Sequence, residues 1–308
     1  MIAAAPFVEV TFFGLAAGSV IGLLALGLVL IYRTTGVLNL AHWAIGLLSV
    51  VAYIFIAGTG VPPPLAAVAA IPMSIVGGIL AYRLVFRGMG RSRQILVILV
   101  AVGVAQLYSS LAALVLGFEQ FTQIPAWLPT ADWQLGGVAV RSTDAITAAV
   151  AVGVAFAFLL WFRRSRTGRS LRAVAQNREA AVLAGIDESR ASQLAWGIGS
   201  GLAGLALLLV LPHVAGSQGG LLTTFAVSPL GTLLIPAFGA ALLGGLVHLP
   251  MALVGGFIFG ITRELLVLAP RPWSDLRPSV AAILIVVLLL ARTDRRFASR
   301  YELEALER

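Results

Sequence analysis

Runs of about twenty residues with almost no charge recur along this chain, and that repetition decides most of what it can fold into. A bilayer core about 30 Å thick is crossed by about 20 mostly apolar residues as a helix. Such runs lie at roughly 9–32, 38–58, 63–86, 94–117, 143–162, 191–212, 230–247, 250–268 and 278–292. Each is expected to be helical, because lipid offers nothing to an unpaired backbone N–H or C=O. The expected fold is all-α, a polytopic transmembrane helix bundle of about 8–9 membrane segments forming one domain over 1–308. The seventh and eighth runs are separated only by His248-Leu249-Pro250, so they are either two full spans or a re-entrant pair. No basic residue precedes the first run and Glu9 lies at its edge, unlike a cleaved signal peptide, so this span is expected to be retained.

Basic residues collect in cytoplasmic loops of membrane proteins. With the N-terminus outside, 17 arginines fall inside: Arg33, the group Arg83 to Arg93, the seven between Arg163 and Arg190, and the five from Arg292 onward. Only Arg141, Arg271 and Arg277 fall outside, and Arg263 sits within the eighth run. This asymmetry predicts an N-out, C-in orientation and accounts for the net charge of +8 without invoking nucleic acid. Tyr32 and Trp161 then sit at the inner interface, and Trp127, Trp133 and Trp273 in or near outer loops, the depth such rings prefer. Segment 118–141 is the longest external loop, and its Pro, Trp and Gly content suggests a short ordered cap.

The chain has no cysteine, which removes disulfides, thiolate catalysis and thiol-bound metals. It also has no lysine, since all 21 basic residues are arginine. A phosphate-binding P-loop needs a lysine. Any ATP used by this protein is therefore expected on another polypeptide, with no cofactor or metal on this chain and no enzymatic site of its own. His42, His213 and His248 lack the close companions a metal would need. Glycines four residues apart occur at Gly14, Gly18 and Gly22, at Gly197 and Gly201, and at Gly256 and Gly260. Small residues at this spacing let two helices approach closely, within one chain or between subunits.

The stretch 163–190 differs from its neighbours. It is basic, and Leu171, Val174, Ala175, Val182 and Ile186 fall near one face at helical spacing. Gly185 is a plausible stop, and Asp187 and Ser189 can begin the next helix. Such a segment can rest on anionic lipid or dock into a soluble partner. Glu179-Ala180-Ala181 followed by Gly185 favours docking, since small residues let a helix seat deeply in a groove.

This run, "EAAVLAG", resembles the EAA-x-x-x-G loop of ABC-importer permeases. The wider stretch "SRTGRSLRAVAQNREAAVLAGID" is similar to the corresponding loop of the high-affinity branched-chain amino acid permeases. "GSVIGLLALGLVLIYRTTGVLNLAH" resembles that family's first span and its Asn-x-Ala-His turn, and "AALLGGLVHLPMALVGGFIFG" its late glycine-rich segments. The resemblance implies a permease subunit in a bacterial inner membrane. Its partners would be cytoplasmic ATPase subunits, a second permease subunit (related or identical) and an external solute-binding protein. Residues Arg169, Arg172, Glu179, Ala180, Ala181 and Gly185 would couple ATP hydrolysis on the partners to the bundle through a coupling helix. The implied cargo is a branched-chain or other small amino acid. Where the family commonly continues Gly-Glu after its His, this chain has Trp43-Ala44, and Val247-His248 and Pro250-Met251 also depart from the family's pattern. Loss of that acidic residue leaves a urea-like amide or a small organic acid as an alternative cargo.

Polar residues inside the spans are the candidates for a translocation pathway. Asn39 and His42 either line the path or form a structural pair at a helix start. Gln106, with Tyr108, Ser109 and Ser110, gives the fourth span a polar patch. Glu264 and its neighbour Arg263 either snorkel to the outer interface or serve the path. A stand-alone secondary transporter or channel is the alternative of another class. It calls for membrane-embedded acids, and Glu264 is the one available.

Overall fold

Every long apolar run except one folds into a helix where the sequence places it. The computed structural model describes residues 5–89, 94–116, 124–135, 138–214 and 233–290. Arg91, Arg93, the five arginines from Arg292 onward, residues 118–123 and 136–137 of segment 118–141 and 230–232 of the seventh run lie outside them. The helices are α1 (Ala5–Thr35), α2 (His42–Gly58), α3 (Pro63–Ala81, continued by a π-helical turn Tyr82–Phe86) and α4 (Gln94–Leu116). A two-stranded antiparallel hairpin follows, β1 (Asp132–Leu135) with β2 (Val138–Arg141). Next come α5 (Ser142–Arg164), α6 (Arg166–Gln176), α7 (Arg178–Leu183), α8 (Glu188–Val214), α9 (Ile235–Leu243) and α10 (Leu249–Leu265). A 3₁₀ turn Trp273–Ser279 leads into α11, residues 280–290. Among the described residues seven helical stretches are long and apolar enough to cross a membrane, and α2 is a shorter apolar helix.

The seventh run is the exception. Helix α9 has nine residues, which at 1.5 Å per residue is about 13 Å, well short of a bilayer core. It turns through Gly244–Val247 and packs antiparallel on α10: a Cβ on Gly255 would meet Ala240, and one on Gly239 would meet Phe259. Helix α10, by contrast, is long and apolar enough to cross a membrane, and residues 230–232, which open the seventh run, lie outside the described ones.

The bundle is built around α1 and α8. Helix α1 is apolar on all sides, as expected of a helix enclosed by others, and its spanning window is 89% buried. Its most extensive packing is against α10, with the helices antiparallel. Gly18 lies under Gly260 so closely that a Cβ on Gly260 would fall 2.3 Å from the Gly18 Cα and 2.6 Å from the Gly14 carbonyl oxygen. The glycine spacing of these two spans thus serves contact within the chain. Helix α8 holds α2 and α3 through equally small residues: Gly46 faces Ala203, and Gly204 faces Ser49 and Ser74. Ser49 Oγ donates to Ser74 Oγ at 2.8 Å. Trp196 of α8 stacks on Phe86 at a centroid distance of 4.6 Å. Helices α4, α5 and α11 form the rim, with exposed rows such as Leu99, Val102 and Leu107 on α4.

Part of segment 118–141 is an ordered cap. Trp127 Nε1 donates to the Leu208 carbonyl at 2.8 Å, and the hydroxyls of Ser142 and Thr143 both donate to the Pro129 carbonyl at 2.9 Å. Arginines segregate to opposite ends of the bundle. Arg33, Arg83 and the segment 163–190 gather where α1 ends, while Arg141, Arg263 and Arg277 gather where α1 begins.

Candidate functional site

Segment 163–190 is not one helix but two, set against the end of the bundle. Ser165 caps α6, its Oγ accepting from the Gly168 amide at 2.8 Å. Helix α6 buries Leu171 and Val174 against the core, as the spacing predicts. The chain then breaks at Asn177, whose φ of −150° and ψ of 106° are extended backbone. Its Oδ1 accepts from the Ala180 amide at 3.0 Å and so begins α7. The break rotates the second helix relative to the first. Ala181 turns inward and is 4% exposed, while Val182 and Leu183 turn out at 51% and 89% exposed.

Helix α7 ends as the sequence suggests. The Gly185 amide donates to the Val182 carbonyl at 2.9 Å and the Ile186 amide to that of Ala181 at 3.0 Å, with Gly185 at φ +80°. This closing turn satisfies the last carbonyls and favours a residue without a Cβ. Asp187 then caps α8, Oδ1 accepting from the Arg190 amide at 3.0 Å.

The six expected coupling residues divide by position. Arg169, Glu179, Ala180 and Gly185 are exposed. Ala181 faces the core. Arg172 points back onto α5: Nη1 donates to the Phe162 carbonyl, Nη2 to that of Arg163 at 3.1 Å, and the guanidinium lies 5.4 Å from the Phe162 ring centre. Arg178 pairs with Glu188 at the start of α8. These bonds tie α6 to the end of α5 and α7 to the start of α8. The exposed face formed by Glu179, Ala180, Val182 and Leu183 is small, polar at one edge and aliphatic at the other.

A second polar constellation lies at the opposite end. Glu264 of α10 is only 2% exposed. Arg277 Nη2, from the 3₁₀ turn, donates to its Oε2, and Arg263 Nε lies 3.8 Å from Oε1. Beside them His213 Nε2 of α8 is 2.8 Å from Asp144 Oδ1 of α5. Glu264 is buried and Arg277 half-buried, and their ion pair joins the 3₁₀ turn to α10. Glu264, Arg263, Arg277 and His213 edge a cavity of about 320 Å³ whose other wall is aliphatic, with Ala16, Ala17, Val20 and Ile21 of α1 and Leu209 of α8. A neighbouring recess of about 250 Å³, lined by Glu9, Arg141 and Asp144, shares Phe13, Glu264 and Arg277 with it.

The remaining pathway candidates are elsewhere. Asn39 Oδ1 accepts from the Ala41 amide at 3.0 Å in the turn before α2, and Nδ2 is buried without a partner among the described residues. The His42 ring is fully buried against Gly27 of α1. Gln106 is exposed on α4, where Nε2 donates to Ser110 Oγ at 3.3 Å. Only Glu264 of the four lines the cavity. Sequence reading missed Arg277, Thr147 and the His213–Asp144 pair. The buried ends of α5 and α8 carried the only signal, an Asp and a His at the edges of two apolar runs. Among the described residues no group of three His, Asp or Glu side chains is placed to hold a metal.

Comparison with known proteins agrees over nearly the full length. Residues 10–292 match the family described as branched-chain amino acid transport system, permease component. The chain is 28% identical over 304 residues to the high-affinity branched-chain amino acid transport system permease protein BraD of Pseudomonas aeruginosa, covering 94% of this chain and 95% of the relative. It is 28% identical over 305 residues to the corresponding protein LivH of Escherichia coli, covering 93% and 94%. A probable branched-chain amino acid transport permease of Methanocaldococcus jannaschii is 27% identical over 255 residues, covering 79% and 76%. Among solved structures, a chain of PsaBC from Streptococcus pneumoniae in complex with Fab has the same fold, with a TM-score of 0.50 at 14% identity, covering 94% and 95%.

Proposed function

The chain belongs to the family of branched-chain amino acid transport permeases, and from that premise we propose that it is the membrane-spanning subunit of an ATP-driven importer, coupled to its ATPases through α7. It is a multi-pass membrane protein. The proposed setting is the inner membrane of a bacterial-type cell. Two cytoplasmic ATPases, a second permease and an external solute-binding protein would complete the assembly, and branched-chain or other small amino acids would be the cargo. This chain lacks the lysine a P-loop requires, so the energy would arrive by contact.

The observation that carries this reading is the exposed edge of α7. Val182 and Leu183 project from a six-residue helix outside the spans, beside Glu179 and Ala180. Two aliphatic side chains are too few for a lipid-surface helix, which buries a long apolar face. They are enough to anchor a short helix in a protein groove, where a few buried residues supply most of the affinity. Because Arg172 and Arg178 fasten the segment to α5 and α8, movement of the ATPases would rock those spans and switch access from one side to the other.

Gly185 provides the test. Its φ of +80° is unfavourable for L residues by about 1–2 kcal/mol, and a Cβ there would meet nothing within 4 Å. Gly185→Trp is expected to reach the membrane at the normal level and to lose ATP-driven uptake, because the indole blocks the groove. Gly185→Asn, which tolerates this conformation, is expected to keep most of it. Normal uptake by the Trp variant in a correctly assembled complex would refute the coupling role of α7.

A further inference from the structure

We propose that the end of the bundle where α1, α5 and α6 meet binds the phosphoryl headgroup of an anionic phospholipid, with Arg33, Arg169 and Arg172 supplying the charge. The inference goes beyond the permease reading and rests on it only for which leaflet supplies the lipid.

Charge is unbalanced at this end. No acidic residue occurs between Glu9 and Glu119, nor between Asp144 and Glu179. The last turns of α1 and α5 and the whole of α6 therefore lack a carboxylate, while they carry Arg33, Arg163, Arg164, Arg166, Arg169 and Arg172. The carboxylates that follow in sequence are committed or elsewhere. Glu188 pairs with Arg178 and Asp187 with Arg190, and Glu179 is exposed on α7. Segment 291–308 brings five arginines to four acids, so it adds no negative surplus. Among the described residues the side chains of Arg33, Arg163, Arg164, Arg166 and Arg169 make no ion pair or hydrogen bond. Arg172 spends two donors on the carbonyls of Phe162 and Arg163, which leaves its charge without a counter-ion.

Position turns this surplus into a site. Arg33 lies in the last turn of α1, close enough to Arg172 of α6 for the two charges to repel. A shared anion relieves that repulsion. The Arg33 guanidinium is open to one, since none of its nitrogens is both buried and unpartnered. Arg169 precedes Arg172 by three residues on α6, which makes the two neighbours on the helix surface. A phosphodiester offers two oxygens to the planar N–H fork of arginine, and such charge-assisted bonds are among the strongest a side chain makes.

The surroundings are those of a lipid headgroup. Helix α5 is on the rim, with only 28% of its spanning window buried. Trp161 near its end is 38% exposed and packs on Phe158 at a centroid distance of 6.1 Å. An exposed tryptophan at the end of a span marks headgroup depth. The guanidinium of Arg172 lies over the next ring, Phe162. Helix α6 is held flush against α5, because a Cβ on Gly168 would fall 2.1 Å from the Phe162 carbonyl oxygen. The arginines of α6 thus sit beside Trp161, at the level of the phosphates, where basic pockets between spans take anionic headgroups. A bound lipid would hold the base of α6 in place and leave α7 free to project.

The test uses the full-length chain in nanodiscs of phosphatidylcholine, whose choline offsets its phosphate, with and without phosphatidylglycerol. Two readouts are taken, the melting temperature and the lipid retained in native mass spectrometry. Phosphatidylglycerol is expected to raise the melting temperature and to be retained in preference to phosphatidylcholine. Inorganic phosphate at millimolar concentration, added to discs of phosphatidylcholine alone, is expected to give no comparable shift; an equal shift would assign the site to a free anion and overturn the lipid. Arg33→Gln is expected to weaken phosphatidylglycerol retention roughly fivefold, and Arg33→Lys, which keeps the charge, to lose less. Arg141→Gln removes the same charge at the opposite end of the bundle and is expected to change nothing. Should Arg33→Gln fail to fold, Arg169→Gln, at an exposed position, decides in its place. Equal retention of the two lipids, an unchanged preference in Arg33→Gln, or an equal loss in Arg141→Gln would overturn the proposal. No ATPase is present in these discs, so failure of the lipid site leaves the coupling role of α7 untouched, and failure of that role leaves the lipid preference intact.

Discussion

Ala180→Arg is expected to strip the ATPase subunits from the purified transporter and to reduce ATP-driven uptake to background, at an unchanged level of folded permease in the membrane. Ala180 is exposed in the first turn of α7. Its amide is held by Asn177, and that bond does not depend on the side chain. Arginine is a good helix former, so the fold of this chain should tolerate it. At the proposed contact, by contrast, a methyl group becomes a long charged side chain in a groove built for small residues. Hot-spot disruptions of this kind cost about 2–4 kcal/mol, or roughly 30-fold or more in affinity. Co-purification on a tagged permease measures the loss directly. Stoichiometric ATPase retained by Ala180→Arg would place the interface elsewhere.

The second large effect is on stability and pairs two identical substitutions. Gly260→Ala is expected to lower the melting temperature of the purified chain sharply, whereas Gly103→Ala is expected to leave it unchanged or raise it slightly. Helix propensity favours alanine at both sites by about 1 kcal/mol. The surroundings differ. At position 260 the added methyl would sit 2.3 Å from the Gly18 backbone nitrogen and Cα, atoms that cannot rotate away, so α1 and α10 must separate. At position 103 it would meet nothing within 4 Å. Overpacking costs about 1–3 kcal/mol or more, which outweighs the propensity gain at 260 and is absent at 103. Equal behaviour of the two variants in a thermal unfolding assay would mean that the α1–α10 contact does not hold the bundle together.

Much of the architecture was legible because lipid leaves so few options. Apolar runs of spanning length have to become helices, and eight of them lie within a few residues of where the sequence puts them. The seventh was ambiguous for a physical reason: hydropathy measures apolar character, while chain reversal at Gly244–Val247 is decided by backbone conformation, with Gly245 and Leu246 at positive φ. The break at Asn177 was hidden by a periodic pattern that continues across it. Asparagine competes for the backbone as a cap, so Ala181 took the inward position expected of Val182. The β1–β2 hairpin falls in a segment whose composition pointed only to an ordered cap.

The site at the end where α1 begins was the least legible. Glu264 stood out as an acid within a span, but its partner Arg277 is thirteen residues away across a turn, and adjacent residues on a helix point about 100° apart. Thr147 and His213 are single polar residues at the ends of apolar runs, a pattern that ordinary interfacial residues share. Only the packing of α1, α5, α8 and α10 brings them to one cavity. Gln106 illustrates the converse, since a polar residue within a span turned out to lie on an exposed face of α4.

If α7 is a handle gripped from the cytoplasm by the ATPases, the absence of cysteine from this chain makes that grip directly measurable. Leu183→Cys introduces a single thiol at a highly exposed point of α7. A membrane-impermeant maleimide should leave it unmodified in intact cells, modify it rapidly in inside-out vesicles stripped of the ATPases, and slow markedly once they are restored. Modification in intact cells, or a rate in vesicles indifferent to the ATPases, would contradict the account.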